Sequence, residues 1–110
     1  MRAEILEGDR GTRLAVLVPE TRRERMRGLL GSAPPGPGTG LLLERARSVH
    51  TLGMRSPITV VLLDADLRVR GTVELAPNRL LPPRPGVRHV LELGPGARVP
   101  VGERFHRRPR

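Results

Sequence analysis

The chain has no cysteine, tryptophan or tyrosine, no lysine, and a single phenylalanine, Phe105. Without cysteine there is no disulfide, no thiolate zinc site, no iron–sulfur cluster and no cysteine nucleophile. The poverty in aromatics means that a core must be built from Leu, Val, Ile and Met. It also removes the ring platforms on which single-strand nucleic-acid binders stack bases. Long apolar runs are missing too. The longest, "ITVVLL" at 58–63, is far too short to cross a bilayer. The opening "MRAEILEGDRG" places acids near the start and lacks a continuous apolar stretch, so it does not read as a signal peptide, and a cytoplasmic location is expected.

What is present is arginine, glycine and proline. All 20 basic residues are Arg, and the formal net charge is +9. Arg in such numbers can mark phosphate or nucleic-acid binding. Here the arginines are spread along the chain and mixed with acids, as in "TRRERMRG" and "LLLERARS". That spread favours codon composition over a basic face as the cause of the charge. The one like-charge cluster, "RFHRRPR", reads as a solvated tail over 106–110. With 13 Gly and 12 Pro in 110 residues, the composition suits one domain of short strands and many turns, with its core over about 2–105.

Periodicity supports that architecture. "TRLAVLVP" (12–19) alternates as a strand, with "RAEILEG" before it as a partner and "GDRG" as the turn. "PETRRERMRGLLG" (19–31) changes period: Thr21 and Glu24 have the capping-box spacing, Met26, Leu29 and Leu30 form a stripe, and Gly31 is a stop. "SAPPGPGTG" is a loop, and "GLLLERA" (40–46) a short strand. "PITVVLL" (57–63) is apolar on both faces, as in a strand covered on both sides. "LRVRGTVEL" (67–75) alternates, with "LDADL" as a hairpin turn. A Pro-rich loop (76–86), the strand "VRHVLEL" (87–93) and a closing strand over 99–105 follow. Six or seven strands and one short amphipathic helix predict a mainly β single domain, a small sandwich or barrel of jelly-roll type.

Four segments in order, "ERMRGLLG", "GLLLE", "HTLGMRSPITVVLLDAD" and "VLELGPGARVPVGERF", resemble domain-of-unknown-function family number 192. The resemblance runs over about residues 12 to 105. It implies a small, mostly β fold and assigns no activity. The chain departs from the family pattern at Thr59, where an Asp is usual, and has Leu52 and Leu62 where aromatics are common. Any role of that Asp is therefore weakened or absent here.

The candidate site residues cluster in "SVHTLGMRSP". On a helix, His50 and Met54 at i, i+4 could chelate a soft metal. On a strand they stand roughly 13 Å apart, at about 3.3 Å per residue, and cannot share an ion, so no metal site and no cofactor is expected. His50, Thr51, Met54 and Arg55 are instead candidates for the mouth of a ligand pocket at an open barrel end. Against that, His50 and Thr51 could be a hydrogen-bonded strand entry, and Met54 core packing. Asp64 and Asp66 read as turn acids rather than a divalent-cation site. Glu92 shares parity with Arg88 and Val90, and is expected on an outer face or paired with a cross-strand Arg. His89 falls on the apolar face as a core or rim residue. "GPGTG" and "GPGARVPVG" lack the ending and context of a phosphate loop, and no nucleophile elbow is present.

Three functions follow in descending order of support. The first is a non-catalytic domain, monomeric or a weak homo-oligomer, that binds a small ligand or a protein without membrane attachment. The second is an enzyme using His50, His89 and an acid, with no catalytic residue assigned. The third is a nucleic-acid accessory protein acting through Arg.

Overall fold

The structure is a computed structural model that describes residues 1–30 and 33–110. Strands β1 (Arg2–Gly8) and β2 (Arg13–Val18) form the expected hairpin, with Leu6 opposite Leu14. Helix α1 (Arg22–Arg27) follows. Thr21 caps it as the spacing predicts: the Thr21 hydroxyl accepts from the Glu24 N–H at 3.1 Å, and the Glu24 carboxylate accepts from the N–H groups of Glu20 and Thr21. These backbone donors and the N-terminal ammonium hold the Glu24 carboxyl down at about 2. The helix ends earlier than expected, because Gly28 turns the chain at φ +50. The predicted stop, Gly31, lies outside the described residues, as does Ser32 of the following loop.

β3 (Thr39–Leu43), β4 (Val49–His50), β5 (Ile58–Leu63), β6 (Val69–Leu75), β7 (Leu80–Leu81), β8 (His89–Leu93) and β9 (Phe105–Pro109) complete the chain. Seven strands form one sheet in the order β6-β5-β8-β3-β2-β1-β9, and β4 and β7 form a separate two-stranded ribbon. Every neighbouring pair in the large sheet is antiparallel except β2–β3. A parallel pair needs a crossover connection, and the segment carrying α1 supplies it.

The sheet curls until its edge strands meet at one end. Arg68 bridges Arg104, the Val69 N–H donates to Glu103 O at 2.8 Å, and the Phe105 N–H donates to Leu67 O at 3.0 Å. The ladder stops there, so the domain is a curled sheet and not a closed barrel. Leu6, Leu14, Leu42, Val61, Val69, Leu91 and Phe105 pack together on the inner face. On the outer face Leu41, Leu43, Ile58, Val60, Leu62 and Val90 pack beneath Val49, Leu81 and Leu29. All six residues of β5 are buried, as an apolar pattern on both faces implies. Thr59 points inward, where its hydroxyl donates to Glu74 at 2.6 Å.

The C-terminal segment departs from expectation. Residues 106–109 are exposed for the most part but do not fray: Phe105–Pro109 is the edge strand β9, with Arg107 opposite Leu6 of β1. The reason lies in its charges. Arg107 forks onto the buried Glu4 carboxylate at 2.6 and 2.9 Å and reaches Glu44 at 2.7 Å, and Arg108 meets Glu7. Arg107 is the main cause that holds the Glu4 carboxyl below the usual carboxylate range. Residues 99–104, expected as a closing strand, are instead the turn that delivers β9.

That turn carries Glu103, which is fully buried. Its Oε2 accepts from the N–H groups of Arg10 (2.9 Å) and Thr12 (3.0 Å) and so fixes the β1–β2 turn. Oε1 has no partner. Gly8 lies directly beneath: a Cβ there would sit 2.1 Å from Oε2. A Gly8→Ala variant is expected to lose about 2–4 kcal/mol, from overpacking and the disturbed carboxylate bonds. Urea denaturation checks this, and a loss under about 0.5 kcal/mol, the size of a neutral surface change, would contradict it.

Candidate functional site

The outer face of the sheet carries a groove of about 410 Å³. Its roof is α1 and the turn after it, one wall is β4 with residues 52–54, and its floor is β3 and β8. Gly28, at φ +50 and ψ −125, ends the helix, and Leu29 after it packs against the outer core. Leu29, Leu43, Ala46, Val49 and Met54 supply most of the apolar lining.

Glu92 is the one carboxylate in that lining. Its parity places it on an outer face or in a pair with a cross-strand arginine. The face is the outer one, but it is covered, and Glu92 is only 5% exposed. Its Oε1 sits 3.8 Å from where a Cβ on Gly28 would be. No side chain or backbone group among the described residues donates to it. Burial without a partner disfavours the charged form, and the carboxyl is pushed up to about 7. Such a group is an acid and a hydrogen-bond donor at a pH where an ordinary glutamate is neither.

The candidates separate. His50 and Met54 both line the groove. The extended geometry expected to part them is absent: β4 ends at His50, the Met54 N–H donates to Thr51 O at 3.1 Å, and Gly53 has φ +80. Thr51 is wholly buried and does not line the groove. It is a structural pin: its hydroxyl donates to Ala76 O at 2.5 Å and accepts from the Arg79 N–H at 2.9 Å. Gly53 N–H donating to Asn78 Oδ1 ties the same two segments. Arg55 opens onto a neighbouring depression with Leu30, Pro34 and Ser56. His89 is three residues from Glu92 on β8, an odd separation that puts it on the opposite face. Its Nδ1 accepts from the Arg45 N–H at 3.0 Å, and burial pushes its pKa down. The His50–His89–Glu92 group therefore does not assemble. Thr59 is on the inner face, away from the groove. Asp64 Oδ1 accepts from the N–H groups of Asp66 and Arg68, the turn role expected of it.

Several lining residues had no sequence signal strong enough to single them out. Arg22, Arg25 and Arg27 come from α1, and Met26 and Leu30, members of the helix's apolar stripe, are 74% and 40% exposed. The usable hint was Glu92 itself, an acid between Leu91 and Leu93 that shares its face with Val90.

A family model, DUF192, described as "Uncharacterized ACR", matches residues 4–102. No curated protein matches the chain. Two crystal structures share its fold. A protein of unknown function from Novosphingobium aromaticivorans has a TM-score of 0.79 at 18% identity, covering 94% of this chain and 83% of that one. A Sinorhizobium meliloti protein described as "a putative transcription regulator" has a TM-score of 0.77 at 24% identity, covering 96% and 92%. Among the described residues no helix is long and apolar enough to cross a membrane.

The Glu92 environment has a pH signature. An unfolded chain titrates Glu92 at the ordinary value, near 4.5, and the folded chain at about 7. Between these values the folded state keeps a proton that the unfolded state has released, so stability falls as pH rises through the window. Above it the penalty levels off at about 3 kcal/mol. His89 runs the other way, since its lowered pKa makes stability rise as pH passes the usual histidine range. Comparison of wild type with Glu92→Gln at matched pH cancels His89. The variant's advantage in urea midpoint is expected to grow from about pH 5 to 8, and a constant difference would rule out this account. Thr51→Val is expected to cost about 2–3 kcal/mol through two lost buried hydrogen bonds, read by thermal melting.

Proposed function

The chain belongs to domain-of-unknown-function family 192, and from that premise we propose that it is a cytoplasmic, non-catalytic binding protein whose outer groove takes a small, largely apolar ligand. The observation that carries this reading is Glu92: a largely buried carboxyl at the groove floor, with no partner among the described residues and with its oxygens open to the groove. Leaving a polar group in that state costs stability. A ligand that presents a hydrogen-bond partner there would recover that cost, and the rest of the lining would bury its apolar body. The volume lies within the range of small-molecule sites, and a few convergent polar groups in an apolar cleft is their usual composition. His50 and Met54 belong to the proposed site. Thr51 holds its wall in place, and Arg55 and His89 lie outside it.

The catalytic alternative loses support because one of its two histidines is on the other side of the sheet. An acid, a single exposed histidine and the Ser48 hydroxyl line the groove, but among the described residues no hydrogen bond joins any two of them, and unconnected they specify no reaction.

The absence of Trp and Tyr gives a dark fluorescence background. 8-Anilinonaphthalene-1-sulfonate is expected to bind saturably to the native protein with enhanced emission. Ala46→Phe, which fills the groove from its wall, is expected to reduce that affinity by about tenfold or more while the urea midpoint holds. Unchanged probe binding in Ala46→Phe would place the probe elsewhere and remove the support for this groove.

A further inference from the structure

The groove's rim is cationic and its body is apolar, and this combination narrows the ligand class. Arg22, Arg25 and Arg27 line it from α1. Most of the domain's acids are engaged elsewhere. Glu4 and Glu44 hold Arg2 and Arg107, Glu7 holds Arg108, and Glu24 holds the helix cap and the N-terminus. Glu74 bonds Thr59 and the Gly96 N–H, and Glu103 bonds the β1–β2 turn. Among the described residues no carboxylate lies within ion-pair distance of the three rim arginines. Glu92 lies at the floor and makes no ion pair with any of them. Between floor and rim, Met26, Leu30 and Leu52 hold 74%, 40% and 57% of their surface in solvent. An exposed apolar surface fringed by unpaired cations is complementary to a molecule with an apolar body and an anionic head.

We propose that the groove binds a small, freely diffusing anionic amphiphile, an apolar body bearing one carboxylate, sulfonate or phosphate. The body lies against Leu29, Met54 and the exposed rim, with any hydrogen-bonding group it carries facing Glu92, and the anion is clamped by Arg22, Arg25 and Arg27. Guanidinium groups suit this role, since their paired N–H donors match the oxygens of all three anions. The inference rests on the binding groove proposed above and adds the ligand's charge and orientation.

The test compares two probes that share one ring system. 8-Anilinonaphthalene-1-sulfonate carries a sulfonate, and N-phenyl-1-naphthylamine lacks it. The anionic probe is expected to bind at least about tenfold more tightly. The double variant Arg22→Gln/Arg25→Gln is expected to erase that ratio while leaving the neutral probe unchanged. Arg23→Gln, on the same helix but outside the groove lining, is expected to keep the ratio. Decanoate is expected to displace the anionic probe, and decyltrimethylammonium to fail. Equal binding of the two probes, or a double variant that weakens both alike, overturns the anionic class, while the effect of Ala46→Phe still reports separately on the groove. If phosphatidylglycerol vesicles displace the probe and decanoate does not, the source is a lipid surface, and the freely diffusing ligand is overturned. If neither probe binds wild type, both proposals fall.

Discussion

The curl of the sheet is the constraint from which the rest of the structure follows, and it is tied at Glu103. The Glu103 carboxylate holds the β1–β2 turn and its carbonyl receives the Val69 N–H of the opposite edge. One residue thus joins the first hairpin, the edge strand β6 and the turn into β9. With the edges tied, Phe105 and Val69 face the same inner core as Leu91, although their strands are sheet edges. A fully buried carboxylate with an orphan oxygen is a costly fastener. It is compensated in part by the two backbone donors of the β1–β2 turn.

Because the inner face is filled by the curl, the outer face must be covered by something else. Ribbon β4–β7 and the crossover carrying α1 do this incompletely. Where they meet, the outer core thins into a groove, and the same strand that fills the inner core with Leu91 and Leu93 presents Glu92 to it. The candidate site is therefore a by-product of double coverage: one face closes on itself, and the other is patched by two small elements that leave a seam between them.

Local chemistry made much of this legible in advance. The capping box at Thr21 and Glu24, the doubly covered "ITVVLL" and the Asp64 turn each depend on neighbours in sequence, and each was readable from residue type and period. What depended on distant partners was not. The edge strand at Phe105–Pro109 looks like a frayed basic tail until Glu4 and Glu7 are placed beside it. Glu92 looks solvated because parity cannot tell a bare outer face from a covered one. His50 and Met54 were separated on the premise of an extended chain, but the turn at Gly53, held by Asn78, folds them onto one wall. Thr51 has the opposite history: a polar residue beside a pocket that proved to be a hydrogen-bonded pin.

The pairing of β1 with β9 joins residues about as far apart in this sequence as any, with Glu4 and Arg107 separated by 103 in sequence. Contacts of such separation are entropically expensive to close and form late in folding. Until then β1 has a partner on one side only, and the β1–β2 hairpin presents a free edge. Its exposed charges at Arg2 and Glu7, and the inward charge at Glu4, discourage premature pairing with another chain. The same carboxylates that receive Arg107 and Arg108 in the finished protein thus also guard the edge of an unfinished sheet, and the ion pairs mark its longest-range closure.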